Sequence, residues 1–212
     1  MYIPKFFAGD DADMARRIVC ENAFGLMMTL PDNGGDADIS HLPMLWLDGG
    51  GPSGRLIGHV ARANPHGARF DGKAASVAVF SGPHAYISPN WYANENLVPT
   101  WNYAAVHLHG RVRAIDDEAG AVAILDTLVS AFENDATGNW STGRLADGVL
   151  SRQIKGIIAF EMPVERIETK LKMSQNRTQA DVAGVVEALE GSPHQDDRAT
   201  ATMMQALAAG KT

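Results

Sequence analysis

Five large rings with polar edges, Tyr86, Trp91, Tyr92, Trp101 and Tyr103, fall within eighteen residues and lie among histidines and asparagines such as His84 and Asn102. Side chains of this kind suit a flat heteroaromatic ligand, although the same cluster would serve as a core plug or a subunit contact. Upstream, the stretch LIGHVARANPH sets His59 inside an apolar run and ends it with Arg62, Asn64 and Pro65. A strand-end arginine can grip a phosphate through its fork while the turn after it offers backbone N–H groups; its ordinary alternative is a solvated side chain. Late in the chain KLKMSQNR carries Lys170, Lys172, Gln175, Asn176 and Arg177. Such a run is either a solvated basic turn or the far side of a phosphate site.

Six of the seven histidines lie between positions 41 and 109. On a strand His107 and His109 face the same way, which would suit one metal ion, but no carboxylate or thiolate companions are spaced nearby. No metal is expected, and the histidines read as pocket or structural groups. Two motifs match in letters only. Gly49-Gly50-Gly51-Pro52-Ser53-Gly54 satisfies GxGxxG, but strand-like RLIGHVAR follows where a dinucleotide fold needs a helix. Gly67 to Lys73 satisfies GxxxxGK, but Ala74 stands where Ser or Thr must hold magnesium and a strand follows. No residue pair has the spacing of a nucleophile with its base, so no catalytic residue is assigned.

The elements that must position these side chains are mostly strands. Runs at 23–30, 39–47, 55–62, 75–80, 84–88 and 104–113 are apolar or alternating, and Gly, Pro, Asn or Asp separates them. A last run at 154–162 continues past Pro163 to about Lys172. Six or seven such runs with few helices between them predict antiparallel pairing, and closing the sheet would remove its edges. Helices are expected at 10–22, capped by Asp10 or Asp11, at 117–133, at 178–190, and in the tail around 197–208. The whole reads as one β-rich domain over 1–190 with a polar tail over 191–212 that holds a short helix.

The chain has 212 residues, with 18 Lys and Arg against 25 Asp and Glu and a net charge of −7. That balance, with neither a basic helix nor a helix-turn-helix pattern, does not support a direct grip on DNA. Cys20, the single cysteine, can form no internal disulfide. No apolar run is long enough to cross a membrane, and the acidic start is unlike a signal peptide, so a cytoplasmic protein is expected.

The blocks MYIPKFF from Met1, His41-Leu-Pro, GHVARANPH from Gly58, GPHAYISPNWY from Gly82, VPTWNYAAVH from Val98 and KMSQNR from Lys172 stand out together. They closely resemble the PaiB family, described as FMN-binding negative transcriptional regulators. The resemblance runs from Met1 to about Leu189. It implies a split β-barrel of the pyridoxamine-phosphate-oxidase-like class, a homodimer, and FMN held between the two barrels. The flavin phosphate would then meet Arg62, Ala63 and Asn64 at a strand end, with Ser76 on the next strand. Lys172, Gln175 and Arg177 would form a second contact region. With His59, Trp101 and Asn102 these make the candidate cofactor-binding set. The strand-end stretch has Ala-Asn-Pro-His where the oxidases present Ser-Arg-Lys, so vitamin B6 oxidation is not implied. The expected function is a flavin-binding regulator; a small flavin-dependent oxidoreductase and a haem-binding split barrel are the alternatives.

Overall fold

The computed structural model describes residues 1–9, 11–31 and 35–209. Seven strands hydrogen-bond in the order β2-β1-β5-β6-β7-β4-β3. They are β1 (Phe24–Thr29), β2 (Asp38–Pro43), β3 (Leu45–Leu47), β4 (Arg55–Ala61), β5 (Asp71–Ile87), β6 (Thr100–Ala114) and β7 (Ile157–Lys172). The helices are α1 (Ala12–Glu21), α2 (Glu118–Phe132), α3 (Val149–Ile154), α4 (Gln179–Glu190) and α5 (Gln195–Ala209). The chain divides into two compact units. One holds Met1–Glu21, Ser81–Val106 and Glu168–Thr212; the other holds Asn22–Phe80 and His107–Ile167.

The expected strands are all present; β5 and β6 begin four residues before the expected runs, at Asp71 and Thr100, and there are three further differences. The runs at 75–80 and 84–88 form the single long strand β5, because Ser81-Gly82-Pro83 stays extended rather than turning. The run at 39–47 breaks at Met44 into β2 and β3. Residues 154–156 are not strand: α3, which no periodicity announced in six residues, ends at Ile154 and β7 begins at Ile157. Asp11 accepts from the Asp13 N–H at 2.9 Å at the start of α1; Asp10 lies outside the described residues.

In the unit built on 22–80 and 107–167, β1 pairs with β2 and with β5, while β4 pairs with β3 and β7, all antiparallel. Burial alternates along β1, so Gly25, Met27 and Thr29 face inward and Phe24, Leu26 and Met28 outward. Asp117 caps α2 by accepting from Gly120 N–H at 2.7 Å. Ala121, Ile124 and Leu128 on that helix pack with Ile154, Ile57 and Ala159. Pro163, which cannot donate to a ladder, is accommodated inside β7; a Cβ on Gly110 would lie 2.2 Å from its carbonyl oxygen. The glycine loop 48–54 is the hairpin between β3 and β4, with Gly49, Gly50 and Gly54 at positive φ, rather than a dinucleotide turn.

In the other unit, Ala15, Ile18 and Val19 of α1 are buried. Thr178 caps α4, accepting from Asp181 N–H at 3.2 Å, and the buried Asp181 carboxylate accepts from Asn94 N–H at 3.0 Å. Helix α5 packs on α4 and buries Thr200, Ala201, Met203 and Met204, so the expected tail helix is longer and better anchored than its polarity suggested. No helix among the described residues is long and apolar enough to cross a membrane.

Candidate functional site

The ten candidate residues divide five and five between the two units. Trp101, Asn102, Lys172, Gln175 and Arg177 gather in the first, where β6 begins and β7 ends. Trp101 is 53% exposed, with Tyr86 edge-on to it at 5.9 Å between ring centroids and His84 at 6.3 Å. The Lys172 ammonium donates to the Trp101 carbonyl and to Thr100 Oγ1. Gln175 clamps its own turn, accepting from Met173 N–H at 2.7 Å and donating to the Leu171 carbonyl. Arg177 stacks over the Tyr92 ring at 5.4 Å. Asn102 differs in kind: it is 1% exposed and donates to Ser174 Oγ at 3.0 Å and Met204 Sδ at 3.4 Å, pinning the turn beneath α5.

This corner is electrically unbalanced. Burial pushes the Lys172 ammonium below the ordinary lysine range, and the positive charges of Lys170 and then Arg177 push it the same way. Lys170 is itself buried, lies 5.2 Å over the Tyr103 ring and donates to the Tyr2 carbonyl. Among the described residues, no carboxylate forms an ion pair with Lys170, Lys172 or Arg177. Three cations held together without an acid, beside an exposed indole, make a corner of concentrated positive charge. Lys170 was missing from the candidate set; the period-two pair Lys170 and Lys172 was the available signal.

His59, Arg62, Ala63, Asn64 and Ser76 lie in the other unit. The exposed Arg62 directs Nε and Nη2 at the carbonyls of Lys155 and Ile157, both at 2.6 Å. Asn64 caps a 3-10 turn at Pro65–Arg69, accepting from His66 N–H, and donates to Ser40 Oγ at 3.0 Å. A buried polar chain runs on from there: Ser40 Oγ to His66 Nδ1 at 2.9 Å, His66 Nε2 to Thr29 Oγ1 at 2.9 Å, and Thr29 Oγ1 to Ser76 Oγ at 2.9 Å. Asn64 and Ser76 are thus the two ends of one chain centred on His66. Neither His66 nor Thr29 stood out in sequence, because both sit at the ends of apolar or turn-like stretches. Ala63 is exposed, and His59 is half-buried with an unpartnered Nδ1. His107 and His109 lie in this unit with ring centroids 6.2 Å apart.

Burial lowers the pKa of both His66 and His59. The unfolded chain therefore binds more protons than the native one just below the usual histidine value, and stability rises with pH through that window. Denaturant midpoints should fall as pH drops from about 6.5. The variant His66→Gln should flatten that acid slope, whereas a slope equal to that of the parent protein would show that His66 does not cause it.

The sequence profile of the family described as "Putative FMN-binding domain" matches residues 1–166. The chain therefore belongs to this FMN-binding family, whose cofactor is FMN or a related flavin. Protease synthase and sporulation protein PAI 2 of Bacillus subtilis is 34% identical over 205 residues, covering 97% of each chain, which bears out the PaiB resemblance. Among solved structures, the flavocytochrome Anf3 from Azotobacter vinelandii superposes with a TM-score of 0.60 at 16% identity, covering 93% of this chain and 78% of its own. The FAD and haem binding protein from Mycobacterium smegmatis gives 0.57 at 14% identity, covering 81% and 76%. At these identities the likeness concerns the fold, the mainly β split barrel with flanking helices that the sequence led us to expect.

Proposed function

We propose that this chain is a flavin-binding regulatory protein that works as a homodimer in the cytoplasm, with Lys172 as the principal contact to the flavin phosphate. The observation that carries this reading is the cluster of Lys170, Lys172 and Arg177, which repel one another and have no carboxylate among the described residues. The residues fit the group. Lys172 supplies the charge, Gln175 holds the turn that presents it, and Trp101 with Tyr86 offers ring surface to an isoalloxazine. Arg177 strengthens the positive field. A bound flavin would supply reversible electron transfer and a visible absorbance; the protein's part is to bind it, orient it and hold its phosphate charge.

The dimer rests on an apolar sheet face. Phe24, Leu26 and Met28 of β1, Ile39 of β2 and Val77 and Val79 of β5 are all half-buried or exposed, and the register sets them side by side. With a net charge of −7, the regulatory effect is best carried through a partner or a ligand rather than a direct grip on DNA. The lone exposed Cys20 suits a reducing compartment. Freshly purified protein should be yellow, or turn yellow with added FMN and quench its fluorescence, and should scatter light as a dimer. Absence of any FMN uptake at millimolar ligand would overturn the flavin assignment, and a monomer would overturn the assembly.

A further inference from the structure

Helices α4 and α5 and the turn at 173–177 line an open pocket of about 480 Å³, the size that drug-sized ligands fill. Every residue lining it lies beyond residue 166, where the family profile ends. Its walls are apolar, from Met173, Val182, Val186, Met204 and Leu207. Its polar groups are mostly committed: Gln175 to its own turn, Gln205 to Glu190 at 2.7 Å, and Ser174 to Asn102. Gln179 and Arg177 are the exceptions. The Arg177 guanidinium lies over the Tyr92 ring, 5.4 Å from its centroid, and, among the described residues, makes no hydrogen bond and no ion pair. Its donors therefore remain available. The Tyr92 hydroxyl is buried without a partner. Among the described residues, no acidic side chain lines the cavity, although the chain carries 25 Asp and Glu.

An apolar chamber with one unspent cation and no acid selects for charge at one end of a greasy molecule. We propose that this pocket is a second ligand site, adjoining the proposed flavin site at Gln175 and Arg177, for an organic monocarboxylate with an apolar body, whose carboxylate is held by Arg177. A neutral ligand would leave the guanidinium uncompensated, and a cationic one would meet it head-on.

Calorimetric titration of the full chain with decanoate, decanamide and decylamine tests this. Decanoate should bind with a Kd below about 1 mM, decanamide about tenfold more weakly and decylamine not measurably. Arg177→Gln should weaken decanoate by about tenfold or more and leave decanamide unchanged. Ala183 and Ala208 line the cavity and are exposed, so Ala183→Trp or Ala208→Trp should fill it and remove decanoate binding without changing FMN uptake or the melting temperature. Equal binding of decanoate and decylamine, or undiminished decanoate binding in both tryptophan variants, would overturn the proposal. So would one-for-one displacement of decanoate by FMN, which would make the cavity part of the flavin site. Decanoate binding with no FMN uptake would sustain this site while removing the flavin assignment.

Discussion

Gly110→Val should abolish folding, and Gly110→Ala should cost about 3 kcal/mol or more of unfolding free energy. A Cβ at position 110 would stand 2.2 Å from the Pro163 carbonyl oxygen and 2.9 Å from Met162 Cγ. The first neighbour is backbone, so no rotamer change relieves the contact; β6 or β7 must move. Met162 and Val164, on either side of Pro163, are fully buried, so that movement would also disturb packed core. A typical domain has about 5–15 kcal/mol to lose. Gly143→Ala is the matched control, because its Cβ meets nothing nearer than 3.8 Å, and it should stay within about 0.5 kcal/mol of the parent. Urea denaturation of the three proteins decides the matter. Equal midpoints for Gly110→Ala and Gly143→Ala would mean that the close approach is relieved at no cost.

Lys172→Glu should lower FMN affinity by about a hundredfold or more, because it replaces the central cation of the cluster with a charge that repels phosphate. Lys172→Gln should fall between the two. Stability should move in another direction. Lys172 is pushed below the ordinary lysine range by burial and by Lys170 and Arg177, so its charged form is a burden on the native state. Between its lowered pKa and the unfolded value of about 10.4, the unfolded chain holds more protons, and stability rises with pH. Lys172→Gln should therefore fold at least as well as the parent at neutral pH while binding FMN less well. That pairing of lost binding with kept stability is what a site held against its own repulsion produces. Flavin affinity should also fall on the alkaline side as Lys172 loses its proton, and Lys172→Arg should remove that fall. A Lys172→Glu protein that takes up FMN like its parent would show that the phosphate is bound elsewhere.

The flavin assignment and the fold became visible at different levels. Alternation along AAVHLHGRVR predicts β6 from Ala104 to Arg113, since inward and outward side chains must follow the two-residue pleat, whereas the strand itself begins four residues earlier, at Thr100. Thr178 followed three residues later by Asp181 announces the start of α4 by chemistry contained within one turn. The short helix α3 escaped because six residues hold too little periodicity to declare themselves.

Composition and local pattern thus sufficed for the strands, the long helices, the acidic balance and the family blocks, because each depends on neighbours within a few positions. Which polar side chains are spent and which are left over was not legible there. Arg62 finds its acceptors 93 and 95 residues away, Ser76 meets Thr29 across 47, and Asn102 meets Ser174 across 72. Among the described residues, Lys172 and Arg177 are left without a carboxylate for the same reason. Burial forces donors to find acceptors wherever the folded chain brings them, and that competition is settled between residues that only the three-dimensional packing makes neighbours.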